Sequence, residues 1–131
     1  MNLIDLRTEM IKSYMEKWTF IDVEYEIRKD GKVDVSGTVN IRNFNGTELP
    51  FKFGKVSEWF DCSKALNLTT LKGTPDEVGE NFNCSYLKNL KSLEDGPKKV
   101  NGWYKCHDCG VDFSNEDLRK SCDVKGTMYN I

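Results

Sequence analysis

One short segment of the 131-residue chain carries residues that could do chemistry. Lys105 to Gly110 reads Lys-Cys-His-Asp-Cys-Gly and contains the single histidine of the sequence, His107. Two cysteines separated by two residues are typical of half a zinc site or of a redox pair. A structural zinc site needs about four ligands, and the sequence has no second Cys-x-x-Cys pair. Metal binding and redox chemistry are therefore two open interpretations of Cys106 and Cys109.

The elements that position this segment belong to an internal repeat. Cys62, Cys84 and Cys106 follow one another at a step of 22 residues. Aromatic, valine and leucine positions keep the same step: Phe60, Phe82 and Tyr104; Val56, Val78 and Val100; Leu49, Leu71 and Leu93. Upstream the step shortens to 21, and leucine-rich repeats have periods of about 20–29 residues. The pattern predicts an α+β protein built on a short leucine-rich-repeat-like β-solenoid of about three to four coils.

Each coil is predicted to contain one short strand. Phe60 and Cys62 face inwards in that strand, and Trp59 and Asp61 face outwards. The cysteine column is then part of the core, where a buried cysteine behaves as a small hydrophobe. This placement favours a core role for Cys106 over the metal and redox interpretations.

The rest of the chain offers little for catalysis. The carboxylate pairs Asp76-Glu77 and Glu94-Asp95 fall in predicted turns, where solvated charge explains them better than a glycosidase-like pair. The glycines of the repeat recur at coil corners, where we expect positive φ angles, and they form no phosphate-binding loop. The sequence thus predicts a protein that is not an enzyme and has no cofactor. Because Cys122 could approach Cys106 and Cys109, zinc binding remains an alternative.

The two ends of the chain are predicted to cap the coils. Apolar residues at helical spacing predict a helix over about residues 2–17, followed by a hairpin that turns at Asp30-Gly31. Ser114 to Asp117 forms a capping box that opens a short helix to about Cys122, and a last strand is predicted from Val124 to Ile131. We expect a single domain over residues 1–131, with caps over 1–37 and 114–131 and coils over 38–113.

Charge and hydropathy disfavour several classes of protein. The chain has 19 Lys and Arg against 21 Asp and Glu, a balance unsuited to nucleic-acid binding through a basic face. No apolar run approaches the roughly 20 residues that cross a bilayer, and no signal-peptide pattern occurs. Five cysteines without a secretion signal predict no disulfide framework. We therefore expect a cytoplasmic protein without membrane contact.

The repeat and its flanks resemble a known family. Phe-Asn-Cys-Ser at 82–85, followed by Leu90-x-x-Leu93-Glu94-x-Gly96-Pro97-Lys98-x-Val100, is similar to the repeat of small leucine-rich-repeat-like proteins of T-even-like tailed bacteriophages. The segments at 30–39 and 116–126 resemble the flanking portions of the same proteins, so that the resemblance covers nearly the whole chain after residue 20. It implies a phage protein that acts in the cytoplasm of the bacterial host.

The outward strand positions predict a binding surface. Alternation places Asp61, Asn83 and Lys105 on one face, with Trp59 and Trp103 beside them two coils apart. Tryptophan is enriched at interface hot spots because it combines a large apolar area with a polar N–H group. We predict that these five residues contact a partner protein. The competing interpretation is that the N-terminal helix or a loop covers both tryptophans.

Resemblance and surface together give a functional hypothesis. They imply a protein that binds and inhibits a bacterial host protein, such as a defence effector, a toxin or a nuclease. Two alternatives come from other classes of protein. One is a self-assembling structural solenoid, since open solenoid ends and edge strands can pair. The other is a small zinc-binding protein that uses Cys106 and Cys109.

Overall fold

A computed structural model describes residues 2–129 and contains two helices and eleven short strands in this range. The helices are α1 (Leu3–Trp18) and α2 (Asn115–Ser121). The strands are β1 (Glu24–Ile27), β2 (Val33–Ser36), β3 (Val39–Asn40), β4 (Phe53–Val56), β5 (Phe60–Asp61), β6 (Glu77–Val78), β7 (Phe82–Asn83), β8 (Lys99–Val100), β9 (Tyr104–Lys105), β10 (Asp123–Val124) and β11 (Met128–Tyr129). Asn130 and Ile131, the end of the predicted last strand, lie outside the described residues.

The strands form two sheets that run along a β-solenoid of about four turns. The six-stranded sheet has the order β1-β2-β4-β6-β8-β10, and the five-stranded sheet has the order β11-β9-β7-β5-β3. Strands β1 and β2 are antiparallel, whereas the other strand pairs are parallel. The chain passes from one sheet to the other at a short corner in each coil. The prediction of one strand per coil is therefore wrong, because each coil contributes a strand to both sheets.

Strand pairing follows the sequence repeat. Phe60 pairs with Phe82, and Phe82 pairs with Tyr104, which confirms the register that the 22-residue step predicts. The next pairing joins Tyr104 to Met128 at a step of 24 residues, because helix α2 lies in the last connection. The predicted single strand from Val124 onwards is instead two short strands, β10 and β11, one in each sheet.

Columns of apolar side chains fill the space between the sheets. Phe60, Phe82 and Tyr104 are fully buried, and their ring centroids are 5.9 and 5.0 Å apart along the column. The predicted cysteine column is buried as well: Cys62, Cys84 and Cys106. Burial of each large side chain contributes about 1.5–3 kcal/mol to the hydrophobic stabilisation of the folded state. The inward columns predicted from the sequence are confirmed.

Helix α1 buries one face in the same core. Ile11, Met15 and Trp18 recur at the helical spacing of three to four residues, and all three are buried. The ring of Trp18 lies 6.4 Å from that of Phe53, and its Nε1 donates a hydrogen bond of 2.9 Å to the carbonyl oxygen of Arg42. The predicted helix is confirmed, with each end displaced by one residue.

The predicted hairpin and second helix are also present. Strands β1 and β2 form the hairpin, and Gly31 in its turn has φ +91°. Ser114 and Asp117 form the predicted capping box, in which the Ser114 hydroxyl accepts from the Asp117 N–H and the Asp117 carboxylate accepts from the Ser114 N–H. Leu118 anchors α2 in the core. Within residues 2–129, neither helix is long and apolar enough to cross a bilayer.

Candidate functional site

The five-stranded sheet brings the predicted partner-binding residues onto one surface. Asp61 on β5 pairs with Asn83 on β7, and Asn83 pairs with Lys105 on β9. Residues in register on neighbouring strands lie about 4.8 Å apart and point to the same side of the sheet. Trp59 and Trp103 come two residues before Asp61 and Lys105, which places them on the same side. We refer to these five residues as the outer face.

The two tryptophans form a single aromatic pair. The ring centroids of Trp59 and Trp103 are 5.2 Å apart, and the ring planes are inclined by 78°. Because residues two coils apart are separated by about 10 Å along the sheet, the two side chains lean towards each other. Asn81 occupies the intervening coil, and its Oδ1 accepts a hydrogen bond of 2.8 Å from the backbone N–H of Trp103. The repeat predicted a shared face for the two tryptophans but not this contact.

The aromatic pair is accessible to a partner. Trp59 is 39% exposed and Trp103 is half-buried. The indole N–H of Trp59 donates a hydrogen bond of 3.2 Å to a carboxylate oxygen of Glu80, a contact that the sequence did not predict. The aromatic side chains of α1 pack instead against Phe44 and Phe51. Helix α1 therefore leaves the aromatic pair accessible.

Two residues of the outer face also hold the backbone in place. The Oδ1 of Asp61 accepts hydrogen bonds from the backbone N–H and the hydroxyl of Ser63, at 2.9 and 2.6 Å. The Oδ1 of Asn83 likewise accepts a 3.0 Å bond from the N–H of Ser85. Such turns fix the path of the chain as it leaves a strand. Lys105 has no such role, and it makes no ion pair with another residue in the described range.

A second aromatic pair extends the outer face. Tyr86 is 47% exposed, and its ring centroid lies 5.0 Å from that of His107. Because His107 follows Lys105 by two residues, the pair lies beyond the carboxyl end of β9, about 13 Å along the chain from the tryptophans. Strand parity predicts that His107 faces outwards beside the inward Cys106, but it does not predict the contact with Tyr86. One feature of the sequence could have identified Tyr86. The equivalent positions in the adjacent coils, 22 residues before and after it, carry the charged residues Lys64 and Asp108, so that an aromatic residue is unexpected there.

The buried thiols have little chemical reactivity near neutral pH. Burial raises the pKa of the Cys106 and Cys122 thiols to about 12, and it raises those of Cys62 and Cys84 well above the ordinary range. A protonated thiol is a poor nucleophile and must lose its proton to bind a metal. Among residues 2–129, no group of three or more His, Cys, Asp or Glu side chains is placed to hold a metal ion. The predicted burial of Cys106 in the core is confirmed.

Cys109 differs from the other cysteines. It is half-buried, and its Sγ donates a hydrogen bond of 3.2 Å to the carbonyl oxygen of Cys84. Hydrogen bonding with the Cys84 thiol is the largest influence on the pKa of Cys109 and lowers it. Partial burial opposes this effect, whereas the charge of Lys88 adds to it, and the resulting pKa lies below the ordinary value for cysteine. Cys109 is therefore the thiol with the largest thiolate fraction near neutral pH.

We expect Cys109 to be the first thiol alkylated when the folded protein meets iodoacetamide. The reaction requires a thiolate. Because the pKa of Cys109 is lowered, its alkylation rate should increase at a lower pH than the rate of free cysteine does. Short exposures followed by peptide mass mapping should give one dominant adduct, and Cys109→Ser should remove it. Labelling of Cys106 at the same rate as Cys109 would contradict the prediction.

Comparisons with known protein families, with curated proteins and with solved structures gave no match to this chain. The fold and the chemistry of the outer face are therefore the observations on which a function can be based.

Proposed function

We propose that this protein is a non-enzymatic binding module that contacts another protein through the outer face. The observation that carries the proposal is the Trp59–Trp103 pair, an edge-to-face aromatic contact left accessible on a sheet. Tryptophans in such positions contribute much of the affinity at protein interfaces, because they bury a large rigid area and offer a polar N–H. Lys105, which lacks an ionic partner in the described range, adds a charge that a carboxylate of the partner can neutralise.

The scaffold suits this role because it holds the contact residues before binding. Each strand of the outer face is hydrogen-bonded to its neighbours, and the turns at Asp61 and Asn83 fix the strand ends. A surface that is already ordered loses less conformational entropy when a partner binds. The tryptophan pair and the Tyr86–His107 pair then lie at opposite ends of a polar strip. That arrangement provides two apolar anchors with hydrogen-bonding groups between them.

We further propose that the partner is a bacterial host protein, such as a defence effector, a toxin or a nuclease, which this protein inhibits in the host cytoplasm. The support is the similarity of segments 82–85 and 90–100 to the repeat of T-even-like phage proteins. The same similarity supports membership of a leucine-rich-repeat-like class, as does the 22-residue step. Two strands per coil are a departure from the single strand expected of that class.

The two ends of the chain are proposed to act as caps of the solenoid. A terminal coil exposes an apolar face unless another element covers it. At the N-terminal end the candidates are α1 and the β1–β2 hairpin, and the buried side chains of Ile11, Met15 and Trp18 support this role for α1. At the C-terminal end the candidates are α2, β10 and β11, and the buried side chain of Leu118 supports it for α2.

Affinity capture with matched variants tests the binding proposal. Tagged protein is incubated with lysates of several bacterial strains, and retained proteins are identified by mass spectrometry. We expect one dominant partner at near-equal stoichiometry. Trp103→Ala and Lys105→Glu are each expected to weaken the purified complex at least about ten-fold, or roughly 1.4 kcal/mol.

Control variants change exposed residues outside the outer face, and Lys91→Glu and Val111→Ala serve this purpose. Both should retain the partner, and all variants should keep the circular dichroism spectrum of the parent protein. Capture that is unaffected by Trp103→Ala and by Lys105→Glu would exclude the outer face as the binding surface. A blank in every strain would refute a bacterial host partner.

A further inference from the structure

A second apolar surface lies where α1 meets β1. Phe20, Ile21 and Tyr25 are 67%, 98% and 36% exposed. Together with Met15 and Val23 they line a groove of about 500 Å³. Single exposed apolar residues are normal on proteins, but neighbouring ones that share a groove mark interaction sites.

The groove borders an open sheet edge. Strand β1 is the outermost strand of the six-stranded sheet and pairs with β2 only, so that its other edge offers unpaired backbone N–H and C=O groups within the described residues. Tyr25 lies opposite Val35, which is buried, and therefore Tyr25 and Ile27 lie on the inner side of the sheet. Glu24 and Glu26 alternate with them and lie on the outer side.

The edge is also strongly acidic. Four exposed carboxylates surround it, and none of them forms an ion pair with a residue in the range 2–129: Glu16, Asp22, Glu24 and Glu26. The nearby ammonium group of Lys17 lies 5.8 Å from the ring centroid of Tyr14. Uncompensated carboxylates around an apolar groove attract a partner that carries both apolar and basic side chains.

We propose that β1 is a docking edge for a basic, extended segment of a partner protein, which adds to the six-stranded sheet as a further strand. Backbone hydrogen bonds to β1 provide affinity, and the alternation of side chains provides specificity. Apolar side chains of the segment lie beside Tyr25 and enter the groove. Lysine or arginine side chains lie on the other side, next to Glu24 and Glu26.

A second copy of this chain is a poorer occupant of the edge. Its own β1 carries the same two glutamates, and antiparallel pairing of two such strands would place like charges side by side. The proposal does not depend on the outer face, since it uses none of the five outer-face residues.

The test uses the full chain and a synthetic peptide of about eight residues in which lysine and valine alternate. Titration of isotope-labelled protein, followed by NMR, should show saturable shift changes concentrated at residues 20–27. Binding should weaken as salt is added, because screening reduces the attraction between exposed charges. A peptide in which glutamate replaces lysine is expected not to bind.

Variants separate the edge from other surfaces. The double variant Glu24→Lys with Glu26→Lys should weaken peptide binding at least about ten-fold, and Ile21→Asp should do the same, because these side chains are exposed and their replacement leaves the fold intact. The matched charge reversals Glu94→Lys with Asp112→Lys should leave binding unchanged.

Three outcomes would overturn the proposal. These are no binding of the lysine–valine peptide, equal binding by the Glu24/Glu26 double variant, and a concentration-dependent dimer that Ile21→Asp abolishes. The dimer, detected by analytical ultracentrifugation, would assign the edge to a second copy of the chain instead.

Discussion

Replacing Phe82 by alanine is expected to lower the free energy of unfolding by about 3–5 kcal/mol. The side chain is fully buried at the middle of the aromatic column, 5.9 Å from the ring of Phe60 and 5.0 Å from that of Tyr104. Coils of a solenoid stabilise one another through their contacts, so that a cavity in a middle coil weakens the contacts on both of its sides. Because small domains have total stabilities of about 5–15 kcal/mol, the variant is expected to be close to unfolding.

Urea unfolding followed by circular dichroism measures this effect. The control is Leu66→Ala, which removes a side chain that is 57% exposed and should change stability by no more than about 0.5 kcal/mol. If the solenoid unfolds as one unit, the dependence of stability on urea is the same in Phe82→Ala as in the parent protein. A loss in Phe82→Ala no greater than that in Leu66→Ala would contradict the assigned core.

The repeat predicted the inward columns because stacked coils place equivalent residues on top of one another. The same residue type therefore recurs at a fixed spacing along the sequence. Val78 and Val100 obey the same rule, yet the second strand of each coil escaped prediction. Strands β6 and β8 each contain a single apolar residue, Val78 or Val100, so no alternation is visible around them. Around β5, by contrast, the alternation continues over four residues from Trp59 to Cys62. Pairing with the coil before and after makes β6 and β8 strands, and such pairing is a property of the stack rather than of the local sequence.

The sequence predicted which residues form the outer face, but it did not predict the contacts between them. Alternation placed Trp59 and Trp103 on one side, whereas their contact depends on the rotamers of side chains two coils apart. The turns at Asp61 and Asn83 did have a signal, because both residues precede a serine by two positions, an arrangement typical of side-chain-capped turns. Tyr86 has φ +66°, which is uncommon for an aromatic residue. Nothing in the neighbouring residues of the sequence indicates this backbone conformation.

The corner glycines show where a rule based on residue type fails. The expectation of positive φ holds at Gly37 and Gly73, with φ +152° and +99°, but is wrong at the other corner glycines, Gly79 among them. At Gly79 a Cβ would instead collide with the carbonyl oxygen of Ser57, so that close approach of two coils excludes a side chain. Conversely, Asp95 adopts φ +65° without being glycine. It occupies the position of Gly73 one coil later, 22 residues along the chain.

Gly73→Ala and Asp95→Gly are therefore expected to have very different effects at the same coil position. A Cβ on Gly73 would lie 2.7 Å from the Cβ of Leu49 and 2.8 Å from the carbonyl oxygen of Phe51, in a backbone conformation that alanine rarely adopts. Left-handed strain of about 1–2 kcal/mol and overpacking of about 1–3 kcal/mol together predict a loss of about 2–5 kcal/mol.

Asp95→Gly should change stability by less than about 1 kcal/mol. The side chain of Asp95 is exposed, and glycine relieves its strained φ while increasing the entropy of the unfolded chain, so that the two effects oppose each other. Urea unfolding of both variants measures the difference. If Gly73→Ala were as stable as the parent protein, the corner would have to move away from Leu49 and Phe51. The tight contact between neighbouring coils at this corner would then not be a requirement of the fold.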